Sequence, residues 1–220
     1  MFYRFFKRFF DILLSMLGLV LTIPVCLLAA VGILISDPGP VFYLAKRTGK
    51  NNRVFTMLKF RTMRQGKANE SVFRGEESRV FPFGGFLRRT KIDELPQLVN
   101  ILIGDMCVVG PRPAATSQLE IVRGGKYAQI ADVPCGLTSP SALYDYIYGD
   151  SITDSEAYNE LVLPTRLKLD LVYLNKRGFF FDLKMISWTV LCILASVFRI
   201  PPYRIYHQLI AWSVENVEQT

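Results

Sequence analysis

The feature that most constrains this chain is a run of 25 residues without a charge, positions 12–36, with Pro24 at its middle. At about 1.5 Å per residue, a helix of that length reaches across the hydrocarbon of a bilayer. The proline argues against a simple span. Its ring clashes with the carbonyl of Val20 and removes one backbone donor, so a kink or break is expected there. Both flanks are basic, with Arg4, Lys7 and Arg8 before the run and Lys46, Arg47, Lys50 and Arg53 after it. Lys and Arg favour the cytoplasmic side, so both ends are expected on that side. A re-entrant helical hairpin satisfies the proline and the flanks together, with Thr22 or Ser15 available to bond freed backbone. An ordinary kinked transmembrane helix is the competing reading. The run is too long for a signal peptide, and no small-x-small cleavage site closes it.

A second apolar run, residues 185–198, has 14 uncharged positions between Lys184 and Arg199. That is too short to span comfortably, and it reads as an interfacial helix or a core helix. Trp188, Tyr203, Tyr206 and Trp212 lie around it, and such amphipathic aromatics favour the membrane interface. The chain therefore divides into a membrane segment at 1–36, a compact α/β domain at 37–182 and C-terminal interfacial helices at 183–220. The formal net charge of +7 calls for an anionic partner, either a membrane surface or a phosphorylated substrate. No low-complexity basic run points to nucleic acid. The four cysteines, Cys26, Cys107, Cys135 and Cys192, form no C-x-x-C pair, which excludes a disulfide framework or a zinc site. His207 is the single histidine, so acid, base or nucleophile chemistry falls to carboxylates.

In the middle domain, Asp37-Pro38-Gly39-Pro40 is a turn that ends the membrane helix. Residues 41–45 and 53–63 have the β-branched and aromatic content of strands, and Lys59 and Arg61 then share a face. Residues 64–80 read as a polar surface loop. A short helix at 83–91 carries Arg88 and Arg89. Asp93 stands at a helix cap, with Pro96 in the first turn and Leu95, Leu98, Ile101 and Leu102 at helical spacing up to Gly104. Pro111 and Pro113 stiffen the backbone around Arg112. Residues 158–174 have the spacing of another helix.

Asp93 and Glu94 thus lie between Arg88 and Arg112. Arginine matches phosphate oxygens with planar, two-donor geometry. Two adjacent carboxylates can hold a magnesium ion that bridges to a substrate phosphate, and an aspartate can itself attack phosphorus. On the residues alone, a helix cap beside solvated arginines stays open as the plainer reading.

Four motifs stand in order: Lys59-Phe60-Arg61-Thr62-Met63, Asp93-Glu94-Leu95-Pro96-Gln97-Leu98, Gly104-Asp105-Met106 and Val109-Gly110-Pro111-Arg112-Pro113. Lys7-Arg8-Phe9-Phe10-Asp11 precedes them, and Asp182-Leu183-Lys184 follows. Together these resemble the bacterial sugar transferase family, the monotopic phosphoglycosyl transferases, over residues 4–198. The chain has the length of the family's minimal members, which lack the extra transmembrane bundle of larger relatives.

The resemblance implies a membrane-associated α/β fold with a re-entrant N-terminal helix, a small catalytic domain on the cytoplasmic face of the bacterial inner membrane, and interfacial amphipathic helices. It implies that Asp93 attacks the β-phosphate of a UDP-sugar, releases UMP and passes the phospho-sugar to polyprenyl phosphate, usually undecaprenyl phosphate. Glu94 would assist the metal or the acceptor, Asp93 and Glu94 would hold magnesium, and Lys59, Arg88 and Arg112 would hold phosphates. Membrane lipids and downstream glycosyltransferases are the implied partners, in O-antigen, capsule, exopolysaccharide or glycoprotein glycan assembly.

Three departures from the family pattern bear on this. Ile23 stands where a serine often precedes the helix-breaking proline. Residues 135–143 replace a Pro-Gly-x-Thr-Gly segment, so sugar preference does not carry over. Lys91 and Cys107 replace frequent serines, with little expected effect on the chemistry. The alternatives are another membrane-attached phosphotransferase, for which no P-loop sequence exists, and a non-enzymatic adaptor for anionic lipids.

Overall fold

In a computed structural model of the chain, the described residues are 2–64, 79–149, 152, 154–198 and 200. The first element is one helix, α1 (Phe2–Ser36), which runs through Pro24. The expected break at the proline is therefore absent as a break. One missing donor removes one rung of the ladder, and the turns on either side carry the helix past it. Thr22 does not serve the carbonyl of Val20, because its hydroxyl donates to Gly18 O (2.6 Å), while that of Ser15 donates to Asp11 O (2.6 Å).

Both ends of α1 are packed on the same domain. Near its start, Lys7 Nζ meets Asp182 Oδ2 at 2.7 Å, the Arg8 guanidinium donates to the carbonyls of Ile101 (2.6 Å) and Leu102 (2.8 Å), and Asp11 Oδ1 accepts from Val108 N at 3.0 Å. Near its end, Ala29 and Ile33 are buried with Phe60, Phe81 and Leu87. Its remaining face is apolar and uncovered, with Leu21 67%, Leu28 73% and Ile35 78% exposed.

Strands β1 (Phe42–Thr48) and β2 (Val54–Phe60) form an antiparallel hairpin. Asn51 and Asn52 carry its turn at φ 53° and 57°, a conformation asparagine tolerates through its short polar side chain. The sheet order is β2-β1-β4, with β4 at Ala114–Ala115. Beyond β2, Arg61 turns away from Lys59. Its Nε donates to Pro40 O (2.6 Å) and its Nη1 pairs with Asp37, so it closes the turn after α1 and leaves the shared face expected for the two cations. Residues 65–78, most of the expected surface loop, lie outside the described residues.

Helix α2 (Pro82–Arg89) leads through a 3-10 turn at Ile92–Glu94 into α3 (Gln97–Ile103). Gly104 ends α3 at φ 96°, with its N–H returned to Asn100 O and Ile101 O. This is the left-handed stop a helix of L-residues needs, and Arg8 takes up the last carbonyls. Asn100, buried in α3, pins the helix to the edge of β2. Its Oδ1 accepts from Leu58 N (2.9 Å) and its Nδ2 donates to Thr56 O (2.8 Å), so an amide side chain fills the place of a neighbouring strand.

A second, two-stranded parallel sheet pairs β3 (Met106–Val109) with β5 (Cys135–Thr138), and α4 (Leu119–Arg123) lies between them in sequence. Then follow α5 (Pro140–Tyr144), a π-helical turn at Asp145–Gly149, α6 (Ser155–Leu161), α7 (Leu163–Lys176) and α8 (Phe179–Val197). The single helix expected at 158–174 is two, parted at Val162, because Pro164 cannot continue a helix from its preceding turn and opens a new one instead. Helix α8 begins before the expected 185, and the expected boundary after 182 falls inside it. At 19 residues α8, like α1, is long and apolar enough to cross a membrane by length and composition. Tyr203, Tyr206, His207 and Trp212 lie outside the described residues.

Candidate active site

The Lys59-Phe60-Arg61-Thr62 segment distributes four jobs. Lys59 Nζ reaches Glu94 Oε1 at 2.9 Å, Phe60 packs under α1, Arg61 closes the Asp37 turn, and the Thr62 hydroxyl accepts from Arg88 Nε at 2.9 Å. Alternation along β2 puts Lys59 on the face that looks at α3, which is why a strand cation meets an acid just ahead of a helix.

Asp93 does not cap α3. It sits inside the 3-10 turn, and Pro96 occupies the N-cap position with no side-chain capping bond. The Asp93 carboxylate is buried, and its Oδ1 has no hydrogen-bond partner among the described residues. Burial raises its pKa. The charge of Lys59 opposes that, Glu94 adds to it, and Lys91 and Arg88 oppose it further. Glu94 behaves oppositely. Burial pulls it up, but Lys59, Lys91 and Arg112 together hold it well below the usual carboxylate range. The pair is therefore one firmly ionised, cation-held carboxylate beside a second whose charge is poorly compensated.

The structure brings the expected residues together. Lys59 and Arg88 lie in the field of Asp93, and Lys59 and Arg112 in that of Glu94. Arg112 is held by Asp145, with Nε 3.4 Å from Oδ2. Its backbone position depends on a close approach of β3 and β5. Gly110 N donates to Thr138 O (2.9 Å) and Gly136 N to Pro111 O (2.8 Å), and a Cβ on Gly136 would lie 2.1 Å from Gly110 N.

A cleft opens beside the pair. Its lining combines the charged Lys91, Glu94 and Arg112 with mostly apolar residues, among them Leu95, Leu137, Leu143 and Ile193. Lys91, which replaces a frequent serine and from which little effect is expected on the sequence, lines this cleft. It stands at φ 57°, a left-handed conformation rare for a residue with a side chain, and its Nζ lies 4.3 Å from the centre of the Tyr146 ring. The Tyr146 hydroxyl donates to Arg89 O at 2.9 Å and lies 2.5 Å from the Ser196 hydroxyl, so it ties the end of α2 to α8 across the cleft. A lysine two residues before an acid pair was the available signal.

No group of three or more His, Cys, Asp or Glu able to hold a metal ion exists among the described residues. Two carboxylates with one orphaned oxygen still suit magnesium, which keeps several waters and is commonly held by one or two carboxylates together with substrate phosphates.

Comparison with known proteins agrees with this arrangement. The family model described as bacterial sugar transferase matches residues 2–196. The UDP-glucose:undecaprenyl-phosphate glucose-1-phosphate transferase of Escherichia coli is 33% identical over 196 residues, which cover 85% of this chain and 40% of that protein. The exopolysaccharide production protein ExoY of Sinorhizobium fredii is 30% identical over 213 residues, covering 89% of this chain and 84% of the relative. A putative undecaprenyl-phosphate N-acetylgalactosaminyl 1-phosphate transferase of Bacillus subtilis is 39% identical over 113 residues, half of this chain and 63% of its own. The chain thus spans about two fifths of the glucose-1-phosphate transferase and most of ExoY. Since the family match runs unbroken from α1 through the acid pair to α8, this chain belongs to the bacterial sugar transferases.

Proposed function

We propose that this protein moves a phospho-sugar from a UDP-sugar to polyprenyl phosphate through a covalent intermediate on Asp93, at the cytoplasmic face of the inner membrane. The observation that carries the reading is the asymmetry of the acid pair: a buried aspartate with an unbonded oxygen, beside a glutamate locked to Lys59. An oxygen without hydrogen bonds is a stronger nucleophile than one already donated to. In the first step an Asp93 oxygen attacks the β-phosphorus, the bond from that phosphorus to the bridging oxygen breaks, and UMP leaves. In the second, an oxygen of the lipid phosphate attacks the same phosphorus and the acyl-phosphate bond breaks, returning the carboxylate. Lys59, Lys91, Arg88 and Arg112 supply fixed positive charge where phosphate charge develops. Asp93 and Glu94 would hold magnesium together with substrate phosphates, and the ion would supply further neutralisation of the diphosphate.

The packing of α1 supports a re-entrant course. Its start is tied to α3, β3 and α8 and its end to β2 and α2, all in one domain, while its uncovered face is apolar. A helix crossing the bilayer would carry one set of these contacts to the far side. ExoY's name associates that relative with exopolysaccharide production, and a similar pathway is proposed here, with the sugar left unassigned.

With UDP-sugar alone, UMP should appear in an amount stoichiometric with enzyme, and the intact mass should rise by one phospho-sugar that hydroxylamine removes. Asp93→Asn should abolish both. Ternary-complex kinetics with no UMP before lipid is added would overturn the covalent step.

A further inference from the structure

Arg47 lies in the field of two other arginines, Arg112, which lines the cleft, and Arg166. Arg47 lies on β1, Arg112 on the link between β3 and β4, and Arg166 on α7. Strand pairing brings the first two together. Strand β4 joins β1 with Ala115 opposite Arg47 and Ala114 opposite Thr48, so the segment that carries Arg112 is stitched to the strand that carries Arg47. On the β1–β2 hairpin, Tyr43 lies opposite Lys59, Ala45 opposite Met57 and Arg47 opposite Phe55. Directly opposed residues share a face, and Ala45, Met57 and Phe55 are core residues. Arg47 therefore stands on the core face of the hairpin, as Lys59 does at the other end of it. A charge on that face needs a reason beyond solubility.

Local carboxylates do not provide one. Arg112 is taken by Asp145. Arg166 donates to the Tyr158 hydroxyl (2.8 Å), which donates to the other oxygen of Asp145 (2.6 Å). Asp170, which accepts from Ser141, lies in the field of Arg166. Arg112 and Arg166 thus share these two carboxylates, and Arg123 also lies in the field of Asp170. The cation left over is Arg47: the groups in its field are Arg112, Tyr43 and Arg166, with no carboxylate among them. Burial lowers its pKa first, Arg112 lowers it further, Tyr43 opposes them, and Arg166 adds a smaller lowering. A half-buried guanidinium facing like charges is costly until an anion joins it.

We propose that Arg47 and Arg112 form a second anion subsite beside the Asp93–Glu94 pair, and that it takes a phosphate monoester. This rests on the phospho-sugar transfer reading, in which two such esters visit the site: the nucleoside monophosphate that leaves and the lipid phosphate that arrives. Both present the same terminal phosphate, which paired guanidinium groups match with several planar donors. Asp145 is the positioning residue, fixing Arg112 through its Nε.

The test is a binding titration on the full chain in detergent, with UMP alone and with farnesyl phosphate alone, by calorimetry. Arg47→Gln and Arg47→Met should each weaken one or both esters about tenfold, while Arg47→Lys recovers only part, since an ammonium lacks the planar donor pair. Arg47→Met keeps the side-chain stem packed, so it isolates charge from folding, and melting curves for each variant confirm this. Loss of UMP alone assigns the subsite to the leaving nucleotide, loss of farnesyl phosphate alone assigns it to the acceptor, and loss of both assigns one subsite to the two in succession. Binding of both esters by Arg47→Met at wild-type strength, or no binding of either ester by the wild type, overturns the proposal. The titrations need no donor sugar and no turnover. A wild-type chain that binds the esters but releases no UMP from any UDP-sugar would therefore count against the transfer reading and leave the subsite standing.

Discussion

Lys59→Met tests whether the β2 cation is what keeps the acid pair ionised. Its Nζ lies 2.9 Å from Glu94 Oε1, the two side chains are 19% and 13% exposed, and its charge also reaches Asp93. Two unit charges about 4 Å apart interact by about 4 kcal/mol at an effective dielectric constant of about 20. Water entering the space left by the ammonium offsets about half, leaving ~2 kcal/mol, or about 1.5 pKa units at ~1.36 kcal/mol each. Removing a cation favours the protonated form of both carboxylates, so both titrate at higher pH. The nucleophile must be deprotonated. The acid limb of the first-turnover UMP burst should therefore move up by about 1–2 pH units, with the rate recovering as pH rises. Methionine keeps most of the stem volume, so β2 stays packed on α3. Rapid-quench measurement of UMP, with UDP-sugar and no lipid, from about pH 4 to pH 9, reads the limb directly. A burst that is uniformly slower with its limb unmoved would refute the argument and make Lys59 a substrate-binding cation only.

Asp93→Asn should raise the melting temperature by about 2–4 °C while abolishing turnover, because it removes a buried charge whose Oδ1 is unbonded, worth on the order of 1 kcal/mol; a lower melting temperature would show that the charge is already compensated. Gly136→Ala should destabilise the chain by about 2–3 kcal/mol and lower kcat, since the new Cβ meets backbone at Gly110 and displaces the Pro111–Arg112 segment; unchanged melting and kinetics would mean the two strands relax freely. Lys91→Ser should raise KM for the UDP-sugar about tenfold with a smaller change in kcat, as expected for a cation that binds donor phosphate before and during reaction; a kcat effect alone would assign Lys91 to the transition state instead.

The parts of the site legible in the sequence were those where an unusual residue type stood in a recognisable element. Lys59 in a strand, an acid pair before a proline and an arginine between two prolines each signal a fixed charge, and the structure gathers all of them. What the sequence concealed depended on contacts far along the chain. The start of α8 was hidden because Asp182 and Lys184 look like the end of an apolar run. Asp182 is matched by Lys7, 175 positions away, so it does not interrupt the helix. Lys91 looked inert because its role arises from a left-handed backbone that carries it over Tyr146, a residue on a π-helical turn with no periodic signal. Arg47 looked like one more basic flank of the membrane segment, and only the register of β1 against β2 and β4 puts it on the inner face. The stop at Val162 was available in principle, since Pro164 marks it.

On the proposed transfer to a lipid phosphate, the mixed lining of the cleft accounts for the uncovered apolar helix this chain carries. A reaction between a water-soluble polyanion and a lipid phosphate needs fixed cations on one side and an apolar approach on the other, within one reach. The charged lining residues come from the turn before α3 and from the Pro111–Pro113 link, and the apolar ones largely from β5, α5 and α8. Helix α8 is in turn joined to α1 by the Lys7–Asp182 pair and to the end of α2 by Tyr146. The uncovered apolar surfaces of α1 and α8 are thereby held at fixed height relative to Asp93. On the proposed membrane-bound reading, burying those surfaces in a bilayer interface, at about 25 cal/mol per Å² of apolar area, would anchor the protein and fix that height in one event. In that proposed state the depth of the acid pair relative to the lipid headgroups would follow from the tertiary fold, and cutting the Lys7–Asp182 link should loosen that depth before it disturbs the proposed chemistry at Asp93.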